Sequence, residues 1–145
     1  MNSTKTISAS HDTALPLGER SRRITGLILI YLAGLALLAA GVTKFAHLPP
    51  VVAQLTAAGF GGQKIILVAG LEVLSAALFL VPKTRSIGLL LTSSFLGAAV
   101  AAHVQTSEYA GALAPAILLG ICWFGTWLRY PVVLWSFNYD AIARK

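Results

Sequence analysis

Three side chains in this sequence are of a type and position that could do chemistry: Glu72, Lys44 and His103. Glu72 is the only acid inside any apolar run. A carboxyl group there can exchange a proton, bond the polar head of a ligand, or fix helix register through a structural hydrogen bond. Lys44 and His103 each end an apolar run. Such a lysine either snorkels to the membrane surface or lines a polar pocket together with the acid. The histidine either bonds to backbone and water or joins the same pocket. Glu72, Lys44 and His103 are therefore the candidates for ligand binding or proton exchange, lining one polar pocket that opens outward. No catalytic residue and no metal site is assigned. The chain has no His pair at i, i+4, no glycine-rich phosphate loop and no nucleophile elbow. Its single Cys, Cys122, excludes an intramolecular dithiol cycle and reads as a small buried hydrophobe. Tyr31, Thr92, Ser93 and Ser94 are polar within the runs, and such hydroxyls usually bond back to their own helix, so they receive no chemistry.

The elements that must position these residues follow from composition. Of the 145 residues, 57% are hydrophobic and 11% charged, against about 25% charged in a soluble domain. Disorder needs the opposite balance, a disulfide scaffold needs more cysteine, and a soluble domain needs more polar residues to coat it. Residues 24–43 carry no charge, and 65–81 are interrupted only by Glu72 and Ser75 before Pro82. Residues 87–102 and 110–128 are again uncharged. Ala and Leu dominate without strand-like alternation, which predicts helices. The fold class is all-α: an integral membrane four-helix bundle with spans at about 24–44, 64–81, 86–103 and 110–129. Glu72 then lies roughly 15 Å into the membrane, counted from Pro82 at about 1.5 Å per residue. An ionisable group at that depth costs at least ~2.5 kcal/mol, so it should face the interior and have a partner. Small residues mark contact faces in lipid. They form a stripe at Ala33, Ala36, Ala40 and Gly41, and recur in the pairs Gly97/Ala101, Ala98/Ala102 and Ala116/Gly120.

Charge sets the orientation. Nine of the 11 Lys and Arg residues fall in the N-terminal segment, the turn after Pro82 and the C-terminal segment. The remaining two, Lys44 and Lys64, flank the opposite loops. The positive-inside rule places both termini in the cytoplasm. The net charge of +6 is then a topology anchor that favours anionic lipid headgroups, and no nucleic-acid partner is needed. Residues 1–23 are polar and predict a disordered cytoplasmic tail. A cleaved signal peptide fits less well, because the apolar run of 20 residues exceeds the 7–15 of a signal core. Pro49-Pro50 followed by Val51-Val52-Ala53-Gln54-Leu55, with Gly59 and Gly61-Gly62 beyond, predicts a short surface helix between the first two spans. Trp123, Trp127, Tyr130 and Trp135 predict an aromatic belt at the cytoplasmic interface, continued by an aromatic and basic segment over 131–145.

Gly41-Val42-Thr43-Lys44, Gly70-Leu71-Glu72-Val73-Leu74, Leu80-Val81-Pro82-Lys83-Thr84 and Ala101-Ala102-His103 occur in this order. The arrangement resembles the DoxX-like family of small four-helix membrane proteins, over roughly 24–129. The resemblance implies that the lysine, the glutamate and the histidine act as one constellation. It also implies a bacterial cytoplasmic membrane, and a link to quinone-coupled oxidation through a partner oxidoreductase subunit. Residues 1–23 have no counterpart in it. The sequence shows no cofactor of its own, and quinone is the cofactor that the resemblance implies. Three functions follow. The first is a non-catalytic accessory component that binds lipid or another hydrophobic ligand within a membrane complex. The second is a quinone-linked redox accessory subunit using Lys44, Glu72 and His103. The third, supported by Glu72 alone, is a small transporter or proton pathway. Membrane lipid, a partner membrane or oxidoreductase subunit and a second copy of the chain are the partners considered. An enzyme acting alone is not expected.

Overall fold

A computed structural model of the chain describes residues 17–131. Most of the segment read as a tail, 1–16, lies outside the described residues, as does 132–145 with Trp135. Five helices occur among the described residues: α1 (Leu17–Phe45), α2 (Pro49–Ala57), α3 (Gln63–Leu80), α4 (Arg85–Gln105) and α5 (Tyr109–Arg129). All but α2 are long and apolar enough to span a membrane.

The helix ends differ from the apolar runs for physical reasons. α1 begins at Leu17, so residues 17–23 are helical where their polar composition had read as tail. Glu19 lies in the first turn, where a negative charge complements the helix dipole. It also accepts a 2.6 Å bond from Arg23 one turn later. The helix therefore continues beyond the part that lipid can cover. α4 extends past both ends of its apolar run. α2 starts on Pro49-Pro50, whose missing N–H groups cost nothing in a first turn, and its chain reverses through Gly59 at a φ of 86°.

The long helices form a ring in which α1 lies beside α3 and α5, and α4 beside the same two. α1 and α4 thus face each other across the bundle, as do α3 and α5. Ile30, Leu37, Phe79, Leu89, Leu96 and Cys122 fill the centre. α1 and α5 pack tightly at Gly26 and Gly125. A Cβ on Gly26 would sit 2.7 Å from the Gly125 carbonyl oxygen. The small-residue pairs of α4 and α5 behave otherwise. Gly97, Ala101, Ala116 and Gly120 are exposed, and no atom lies within 4 Å of a Cβ placed on either glycine. Ala36 of the α1 stripe is also exposed, whereas Ala33 and Gly41 are buried. Spacing of small residues defines a helix face without saying which way it turns. Here the larger residues Phe95, Leu96 and Leu118 take the inward direction.

The α3–α4 turn accounts for every carbonyl that the end of α3 would orphan. Val81 N–H donates to Ala77 O at 3.2 Å. Thr84 Oγ1 donates to Leu78 O at 2.9 Å. Arg85 gives Nε to Phe79 O and Nη2 to Leu80 O, each at 3.1 Å. Arg85 also donates to the Tyr130 hydroxyl at 2.9 Å. Its charge marks topology in the sequence, yet the side chain is buried and ties this turn to the end of α5.

Candidate functional site: a cavity beneath the short helix

The candidate residues lie toward the opposite end of the bundle. A cavity of about 510 Å³ opens there, bounded by residues of all four long helices. Leu37, Leu96 and Leu118 form its floor. α2 lies over it, contributing Val51, Gln54 and Leu55, with Ala58 just past its end. Its walls are mostly apolar, and its volume is that of a small-molecule site.

Lys44, Glu72 and His103 all line this cavity. Glu72 is 3% exposed and is the only buried carboxylate among the described residues. Lys44 Nζ donates to its Oε2 at 2.7 Å. The lysine thus turns inward from the last turn of α1, and donates also to Ala40 O at 3.3 Å. Gly41 permits this reach. A Cβ there would lie 2.6 Å from Val73 Cγ2, so α1 and α3 are in close contact one turn below the lysine. An ammonium has three donors. Two are engaged, which leaves one for a ligand. The lysine bonds one carboxylate oxygen and leaves Oε1 as an open acceptor on a residue that lines the cavity.

His103 stands apart from this pair. Its Nδ1 lies 3.3 Å from Glu108 Oε2 across the α4–α5 turn, and its ring packs on Gly111, where a Cβ would come within 2.5 Å of Nδ1. The three candidates therefore share a cavity, but as an ion pair and a separate histidine–carboxylate pair. Sequence reading missed Glu108. An acid five residues beyond His103, across the turn that ends α4, was the available signal. Glu108, Thr106 and Ala58 also border an open surface groove that includes Gln105, which gives the cavity a polar side facing water.

The hydroxyl residues behave as short-range helix bonding predicts in two cases. Ser93 donates to Leu89 O at 2.7 Å and Ser94 to Leu90 O at 3.1 Å. Ser93 additionally accepts from Trp123 Nε1 at 3.0 Å. Thr92 departs from this, since its buried hydroxyl has no partner. Among the described residues no three of His, Cys, Asp and Glu gather as metal ligands would.

The open lysine N–H can donate to a carbonyl oxygen such as a quinone ring carries, and the apolar walls can accommodate such a ring. No curated protein and no solved structure gives a significant match to the chain. The family model described as the DoxX-like family matches residues 28–125, which takes in α3 and α4 whole, most of α1 and α5, and the cavity between them, and the chain therefore belongs to the DoxX-like family of membrane proteins.

Proposed function

We propose that the protein is a non-catalytic membrane component that binds a lipid or other hydrophobic ligand in the cavity beneath α2, as an accessory to a membrane complex. One observation carries this reading: an apolar cavity of about 510 Å³ contains the one buried carboxylate of the described residues, with its lysine. An ion pair in such surroundings is a poor source of stability, so its place on the cavity wall supports recognition of a polar head. With nine of the 11 cations in the termini and the α3–α4 turn, the positive-inside rule puts that end in the cytoplasm and the cavity in the outer leaflet. The test is to purify the full chain from its native membrane and identify by mass spectrometry what remains bound. A single retained amphiphile supports the reading, and a ligand-free protein opposes it.

A second reading, a quinone-linked redox accessory subunit, is favoured by the His103–Glu108 pair, which could exchange a proton at the water-facing side of the cavity. The chain supplies no redox centre of its own, so electrons would pass through a partner oxidoreductase subunit. Titration with a quinone analogue separates this reading. Loss of affinity in Glu72→Gln supports it, and equal affinity in both proteins opposes it.

A further inference from the structure

We propose that the cavity takes a neutral single-chain amphiphile with a hydroxyl head, and that the chain passes sideways into the bilayer between α3 and α4. This rests on the hydrophobic-ligand reading and specifies the ligand class and its route.

The route follows from which helix sides are covered. On α3, Val73 faces α1, since a Cβ on Gly41 would meet it at 2.6 Å. Leu71 lies two residues earlier, roughly 200° round the helix, and so on the side toward α4. On α4, Ser93 faces α5 through its bond from Trp123. Ala98 lies roughly 140° round from it, toward α3. Leu71 and Ala98 both line the cavity, yet Leu71 is 59% exposed and Ala98 is exposed. A residue that borders a cavity and the outer surface together marks an opening. Both residues belong to membrane-spanning helices, so this opening faces lipid. A further opening, beside Ala58, is bordered by Gln105, Thr106 and Glu108 and faces water. An alkyl chain belongs in the first.

The head group follows from the ion pair. An anionic head would draw Lys44 away and leave Glu72 buried without its cation. A cationic head would draw Glu72 from Lys44. Each leaves a desolvated charge unpaired, which is costly. A hydroxyl disturbs neither, because it can accept from the third lysine N–H while donating to Glu72 Oε1.

The probe is tritiated monoolein, added to the full chain in phosphatidylcholine vesicles. Hexadecanol, hexadecyl sulfate and hexadecyltrimethylammonium serve as competitors that differ only in the head. We expect saturable monoolein binding that hexadecanol displaces and the two charged analogues do not. Ala98→Trp, at the lipid-facing opening, should slow association about tenfold or more. Gln105→Trp, in the water-facing groove and outside the cavity lining, should not. Equal competition by the charged analogues overturns the head-group assignment. Slowing by Gln105→Trp but not by Ala98→Trp overturns the route. Both of these outcomes leave hydrophobic-ligand binding intact. Absence of saturable binding by any of the four, together with a ligand-free native protein, removes the function and the inference alike.

Discussion

Lys44 Nζ lies 2.7 Å from Glu72 Oε2, joining the last turn of α1 to the middle of α3 across 28 residues of sequence. The pair has side-chain exposures of 16% and 4%, so solvent screens it little. Removing one partner strands the other. Lys44→Met is expected to destabilise the bundle by about 3–5 kcal/mol, and Lys44→Met combined with Glu72→Leu to recover most of that loss. Thermal unfolding in one detergent across the double-mutant cycle measures it. Additive losses would mean that the two residues do not act as a pair.

The crossing of α1 and α5 makes a second prediction. Gly125→Leu inserts a side chain where even a Cβ would lie 2.9 Å from Leu29 Cβ. Overpacking of this kind costs about 1–3 kcal/mol or more. Gly97→Leu and Gly120→Leu meet open space and should stay within about 0.5 kcal/mol of wild type. Unfolding of the three variants orders them, and equal losses would contradict the placement of these faces.

Arg85 provides a third. Lys cannot present two N–H groups to the Phe79 and Leu80 carbonyls and a further one to Tyr130 in the same fork. Arg85→Lys should cost about 1–3 kcal/mol. Tyr130→Phe, which removes one hydrogen bond, should cost about 0.5–1.5 kcal/mol. The exposed neighbour Lys83 should tolerate Ala with little change in melting temperature. A loss for Lys83→Ala as large as that for Arg85→Lys would show that charge rather than carbonyl capping holds this turn.

His103 can be moved without touching it. Gly111→Ala places a methyl group 2.5 Å from its Nδ1, so the ring must shift. The ring-nitrogen resonances of His103 in nanodiscs should change, while Glu108→Gln, at a side chain 52% exposed, should alter stability by no more than ~1 kcal/mol. Unchanged His103 resonances in Gly111→Ala would contradict the packing described.

The membrane class and the four long helices were legible because lipid imposes an uninterrupted apolar run of span length. The start of α1 was not, because Glu19 and Arg23 stabilise a helical turn through charge, which apolar periodicity does not register. Glu72 announced itself by its depth in an apolar run, and Lys44 by ending the run before it. Arg85 did not, since a cation after a proline turn has the same composition whether it anchors topology or caps carbonyls. Glu108 was equally silent. An acid in a loop is ordinary, and only the fold brings it to His103. A polar pocket was legible from Glu72, Lys44 and His103, but the apolar walls that make up most of the cavity were not, because small residues along a helix do not say which side faces inward.

The most direct test of the binding cavity is to fill it. Ala102 is half-buried and lines the cavity between α4 and its neighbours. Ala102→Phe should occupy the space with little loss of fold, as monitored by circular dichroism. Native mass spectrometry of the two proteins, released from the same membranes, is the measurement. Ligand binding beneath α2 predicts one retained ligand mass on the wild-type chain and none on Ala102→Phe. The same retained mass on both proteins, or none on either, would contradict it.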